Sequence, residues 1–136
     1  MTHKIVTTFT DGGARGNPGP AGIGVVLKSN GENIFAKGEY IGETTNNQAE
    51  YRALVLALEK CKEFSAEEVN CFLDSELLVK QMNRQYKVRD ENLAVHFVKA
   101  VQLSQAFRRI TFTHIPREKN KEADALVNEA IDKTLF

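Results

Sequence analysis

Neither sign of charge is in excess in this chain: 18 Lys and Arg stand against 18 Asp and Glu, a formal net charge of zero. That balance argues against a mainly salt-driven grip on a polyanion, although local patches survive it. Only two cysteines are present, Cys61 and Cys71, each inside an apolar segment. They read as buried free thiols suited to a reducing cytoplasm, with a disulfide as the second reading. No C-x-x-C and no histidine pair at metal-ligand spacing occurs, so nothing points to zinc. No apolar run approaches the length needed to span a bilayer. The opening residues, MTHKIVTTF, lack the apolar core of a signal peptide, and a cytoplasmic location with no membrane association is expected. Tryptophan is absent altogether. What remains is ordinary for a globular protein, 42% hydrophobic and 26% charged. The 136 residues are long enough to bury a core without staples, and one domain over 1–136, a monomer by default, is expected.

The element pattern is α/β. HKIVTTFT (3–10) is β-branched and aromatic and reads as a strand. GIGVVLKS and ENIFAKGEY flank Asn30-Gly31, a strong hairpin signal, so the second and third strands are expected to pair antiparallel. Thr45-x-x-Gln48 fits a capping box that opens a helix running to about Lys62. VNCFL (69–73) reads as a short buried strand, SELLVKQM as a short helix, ENLAVHFVKAVQLSQAF as a longer helix and RITFTHI as a fifth strand. A last helix is expected from about Lys121, capped by Asn120. This order implies a sheet of mixed strand directions flanked by helices.

The carboxylates fall in unusual places. Leu54, Ala57, Leu58 and Cys61 make the apolar stripe of the first helix, and counting back four from Leu54 lands on Glu50. Either Glu50 is buried and needs a cationic partner, or it lies in an exposed first turn favoured by the helix dipole. Asp11 and Asp74 each end an expected strand, TTFTD and CFLD, where sites form in open α/β sheets. The plainer reading makes them turn or cap residues. Asp124 stands at the edge of the last helix's stripe of Ala123, Leu126, Val127, Ala130 and Ile131. Carboxylates that converge cannot all stay ionised without positive charge between them, and a hard divalent cation such as Mg²⁺ supplies it. TDGGARGNPGPAG, Thr10 to Gly22, has no G-x-x-x-x-G-K-S/T or G-x-G-x-x-G pattern, so it is no nucleotide-phosphate cradle.

Together, TDGGARGNPGPAG, TTNNQAEYRAL, FLDSE and IPREKNKEADAL resemble the four acidic motifs of type 1 ribonuclease H, in the right order and over nearly the whole chain. The resemblance implies a five-stranded mixed sheet, three antiparallel strands followed by parallel ones. It implies an endonuclease that hydrolyses the RNA strand of RNA–DNA hybrids with two Mg²⁺ or Mn²⁺ ions. It implies that Asp11, Glu50, Asp74 and Asp124 are the metal-binding carboxylates and that Asn17, Asn46 and Asn47 touch the nucleic-acid strands. Gly12 and Gly13 would let the backbone lie close to the RNA beside Asp11, and Thr45, Gln48 and Ser75 are further contact candidates. Neutral amides suit 2′-hydroxyls and minor-groove base edges.

Some positions depart from the family pattern. The family often has a mobile histidine before its last aspartate; His114 has the expected spacing, and Arg117 is the alternative. Glu76 stands where some members have a glutamine that contacts nucleic acid. The stretch from Asp74 to His114 is too short for the basic, aromatic handle of many members, so a compact form with salt-sensitive binding is expected, its local positive charge coming from Arg117, Lys119 and Lys121. Two other readings stay open: a nuclease of the same fold acting on duplex RNA or another nucleic acid, and a catalytically weak hybrid-binding module.

Overall fold

A computed structural model describes residues 4–136 of the chain. Its elements run β1 (Ile5–Ala14), β2 (Gly19–Ser29), β3 (Glu32–Thr44), α1 (Asn46–Glu63), β4 (Glu68–Leu73), α2 (Glu76–Met82), α3 (Glu91–Ser104), β5 (Arg109–His114) and α4 (Lys121–Leu135), with a single 3-10 turn at Arg117–Lys119 before α4. The expected start of the first strand at His3 lies outside the described residues. The five strands form one sheet in the order β3-β2-β1-β4-β5. β1, β2 and β3 pair antiparallel, whereas β4 pairs parallel with β1 and with β5. The expected mixed sheet is therefore present.

The β2–β3 hairpin turns at Asn30-Gly31, where both residues take positive φ (53° and 79°), as a type I′ turn requires. Thr45 caps α1 by accepting from the Gln48 amide at 3.2 Å, a bond of about 1 kcal/mol. Ser75, not Asp74, caps α2, accepting from the Leu78 amide. Thus Asp74 is released from the capping role that the sequence allowed. Asn120 departs from expectation in the same way: no side-chain cap bond joins it to α4.

The sheet's alternation assigns the faces. Ala21, Ile23, Val25 and Leu27 of β2 enter the core with Leu54, Ala57, Leu58 and Cys61 of α1. Alternate residues of the same strand meet α4. A Cβ placed on Gly24 would lie 2.2 Å from the Ala123 carbonyl oxygen, and one on Gly38 of β3 would lie 2.5 Å from that of Leu126. Backbone cannot yield there as a flexible side chain would, so the glycines admit α4 to the sheet. Cys61 and Cys71 are buried and free, and burial pushes the Cys71 thiol up to about 12.

Gly24→Ala is expected to force α4 outward and cost about 2–3 kcal/mol, in the range of overpacked cores. Urea unfolding checks this: the midpoint should fall with little change in slope.

Candidate metal centre

The last parallel pair between β1 and β4 is Thr10 opposite Leu73. Asp11 is the next residue on β1 and Asp74 the first residue after β4, so the sheet's pairing carries two carboxylates to the same level. β1 does not stop at Asp11, as the sequence pattern implied. It continues through Gly12 and Gly13 to Ala14, held by β2 alone, with Asp11 opposite Gly24. The turn proper is only Arg15–Pro18, where Gly16 has φ +91° and the Asn17-Pro18 bond is cis.

Gly12 brings in the third carboxylate. A Cβ there would lie 2.4 Å from the Ala49 carbonyl carbon and 2.5 Å from the Glu50 nitrogen. Only a residue without a side chain lets β1 press this closely on the first turn of α1. Glu50 is consequently buried, at 7% exposure, which excludes the exposed first-turn reading. The cation expected beside it is not found among the described residues. Instead, the Gly12 N–H donates to the Glu50 Oε1 and, at 3.0 Å, to the Asp11 Oδ1. Asp11, Glu50 and Asp74 each offer a carboxylate oxygen, and these oxygens lie within 4.8 Å of one another.

Crowding shows in their protonation. Burial, with Asp74 and Asp124 adding like charge, pushes the Asp11 carboxyl from its ordinary 3.8 up to about 7, against the bond to Glu50, which lowers it. Burial and the neighbouring Asp11 hold Glu50 well above the ordinary range. Asp124, in the first turn of α4, is half-buried and faces Asp11 from the fourth side. Such a set of hard oxygen donors, crowded with like charge and with no cationic side chain paired to Asp11, Glu50 or Asp74 among the described residues, has the chemistry that Mg²⁺ or Mn²⁺ requires.

The carboxylates line a cleft of about 420 Å³ together with Gly12, Gly13, Asn46, Asn47, Ser75 and Arg117. The loop beside it is tied to α1: the Asn46 amide donates to Asn17 Oδ1 at 2.9 Å, and the Ala14 amide donates to Asn46 Oδ1 at 2.7 Å. Asn17 therefore braces Asn46 from outside the cleft wall. Of the other residues singled out in the sequence, Thr45 and Gln48 form the helix cap and do not line the cleft. Glu76 is turned to Lys80 at 2.7 Å, which with His114 lowers its carboxyl, and it too lies off the wall. His114 is exposed at the end of β5, not buried as a strand-end histidine would be. Arg117 reaches the rim, its Nη2 3.3 Å from Asp124 Oδ1. Arg15 and Asn128 complete the wall and were not singled out in the sequence. Arg15 pairs with Asp132 at 2.5 Å, one surface ion pair among many in such chains, and carries no sequence signal.

A five-stranded mixed sheet with an acidic cluster at the carboxyl end of its parallel strands defines the ribonuclease H-like class. A model of the reverse transcriptase-like family matches residues 9–130, and the chain belongs to that family. It is 44% identical over 128 residues to a ribonuclease HI of Halobacterium salinarum, covering 93% of this chain and 64% of that protein. A bifunctional protein of Mycobacterium tuberculosis is 43% identical over 129 residues, 93% of this chain and 35% of its own length. The chain thus spans somewhat under two thirds of the first relative and about a third of the second. Among solved structures, RNase H1 of Halobacterium salinarum superposes with a TM-score of 0.92 at 42% identity, over 95% of this chain and 98% of that one. LC11-RNase H1, solved in complex with an RNA/DNA hybrid, gives 0.91 at 50% identity, over 96% and 99%.

The raised carboxyls set a pH dependence. Without metal, the native state keeps a proton on Asp11 up to about pH 7, whereas the unfolded chain releases it near 4. The native state therefore binds more protons across that window, and this group's contribution to stability is full below pH ~4 and lost as pH rises through about 7. Thermal melts in EDTA should show Asp11→Asn more stable than the parent at pH 7.5, the advantage vanishing by pH 4.

Proposed function

We propose that this chain is a metal-dependent endonuclease that hydrolyses the RNA strand of RNA–DNA hybrids, working through two Mg²⁺ or Mn²⁺ ions held by Asp11, Glu50, Asp74 and Asp124. The observation that carries the reading is the convergence of three carboxylates within 4.8 Å at one end of the sheet, without an internal cation among the described residues. A relative of 50% identity that carries a hybrid supports the substrate. The proposed setting is a cytoplasmic monomer acting as one domain; no helix among the described residues is long and apolar enough to cross a membrane.

Divalent ions held by these four carboxylates would supply an activated water and charge neutralisation at the scissile phosphate and the departing 3′-oxygen. The chain's own residues prepare that chemistry. Asp11 bridges the cluster, since it faces Glu50, Asp74 and Asp124 alike. Glu50 is held by the Gly12 amide, which orients its carboxylate without adding charge. At Gly13, which lines the cleft, a Cβ would have only Val127 Cγ1 within 4 Å, at 3.9 Å. A sugar-phosphate strand can therefore approach the backbone there, whereas Gly12 turns its bare side to α1. Asn46 and Asn47 stand on the wall at the start of α1, and their amides suit 2′-hydroxyls. Asn17 sets Asn46 in place. Arg117 is the auxiliary group that the geometry favours: it reaches the rim at Asp124, whereas His114 lies off the wall and would have to swing in. Duplex RNA as a second substrate has no observation of its own in its favour.

The test is cleavage of an end-labelled hybrid in Mg²⁺ and in Mn²⁺ beside single-stranded RNA, duplex RNA and duplex DNA. Cutting of the hybrid's RNA strand, lost by 10³-fold or more in Asp11→Asn on the scale of other essential catalytic groups, is the expected result. Intact hybrid under both metals overturns the catalytic reading. The double variant Asp11→Asn, Asp74→Asn should be more stable than the parent in EDTA and should no longer respond to Mg²⁺.

A further inference from the structure

Asn120 is 1% exposed, at the joint between the 3-10 turn and α4. Asparagine at a helix start ordinarily accepts a bond from the helix's own amides. This one does not. Its Nδ2 donates to the Thr10 carbonyl at 2.8 Å and to Asp74 Oδ2 at 3.2 Å. A carbonyl and a carboxylate have no proton to give, so the amide nitrogen and not the oxygen must face them. The Oδ1 is left buried without a partner. Its backbone carbonyl accepts from the Asp124 amide at 3.1 Å. The side chain therefore touches the residue before Asp11 and the carboxylate of Asp74, while the backbone carbonyl accepts the first bond of α4 as at any helix start.

A residue selected to cap a helix would not turn away from it and leave an oxygen orphaned. From this we infer that Asn120 is a positioning residue for the metal centre, fixing the rotamer of Asp74 against β1. The inference rests on the metal-centre reading above. A donor on one oxygen of Asp74 leaves the other free for a cation. A neutral amide does this without cancelling the negative charge that attracts the cation, as Lys or Arg at the same place would. Partners of this kind behind metal ligands alter metal affinity or activity by about 10–100-fold when removed.

The experiment uses the whole chain, with Mn²⁺ binding followed by electron paramagnetic resonance and hybrid cleavage followed across Mg²⁺ concentration, both well below each variant's melting temperature. Asn120→Ala is expected to weaken Mn²⁺ binding by about tenfold and to raise half-saturating Mg²⁺ in step, with KM for the hybrid unchanged. Asn120→Ser, which can donate to one acceptor at most, should fall between, and keeps the test available if the alanine variant does not fold. Val69→Ala, a core change far from the cleft, should lower the melting temperature and leave metal affinity within about twofold. Parental Mn²⁺ affinity in a less stable Asn120 variant overturns the inference and makes the residue purely structural. If the unsubstituted chain binds Mn²⁺ but leaves the hybrid intact, the substrate reading falls alone and the binding comparison still decides Asn120. No Mn²⁺ binding by the unsubstituted chain overturns both.

Discussion

Everything at the site depends on how closely β1 presses on the first turn of α1. At Gly12 the strand backbone touches the helix backbone, and no side chain fits between. That contact buries Glu50, aims it at Asp11, and places one amide where it serves both carboxylates. A larger residue would separate the two elements, and the cluster would open into solvated acids with ordinary protonation. The glycine-rich stretch is thus less a flexible loop than a spacer of minimal thickness.

This arrangement sets stability against chemistry. Carboxylates that repel each other and resist ionisation are a liability to a fold without a cation. The surrounding structure holds them through features that add no charge: sheet register, a glycine contact, a backbone amide and the buried amide of Asn120. The cations that line the cleft stand at its rim, Arg15 paired with Asp132 and Arg117 with Asp124, the outermost of the four carboxylates. Positive charge stays at the edges and negative charge at the centre, so the chain's overall neutrality conceals a strongly polarised face.

Much of the fold was legible because periodicity and turn chemistry agree. The Asn30-Gly31 hairpin, the Thr45 cap and the Leu54–Cys61 stripe each follow from local physics, and the mixed strand directions follow from the sequence of elements. The arrangement of three antiparallel strands followed by parallel ones was implied instead by the family resemblance. What was not legible involves contacts between distant segments. Asp11 looked like a strand end because Gly12 and Gly13 have poor strand propensity, yet β2 holds them in the ladder. Asn120 looked like a cap because its neighbours form a helix start, whereas its partners lie on β1 and after β4, 110 and 46 residues away. Glu50 broke its helix's apolar stripe, a visible signal. That its partner is an amide and not a cation belongs to the packing of Gly12, which no local pattern encodes. Thr45, Gln48 and Glu76 sit in or near the acidic motifs but off the cleft wall: the Gln48 backbone amide donates to Thr45, and Glu76 pairs with Lys80.

The pairing of β1 with β4 has a further implication. Because Asp11 and Asp74 directly follow the last opposed pair, their level along the sheet is set in whole residues. A slip of one position would turn one aspartate to the opposite face of the sheet. Register therefore decides whether the two aspartates share a face at all, and one residue inserted or deleted between the paired stretch and either aspartate would take that carboxylate out of the centre. The two strands differ in length, and it is their register at Thr10 and Leu73 that ties one aspartate to the other.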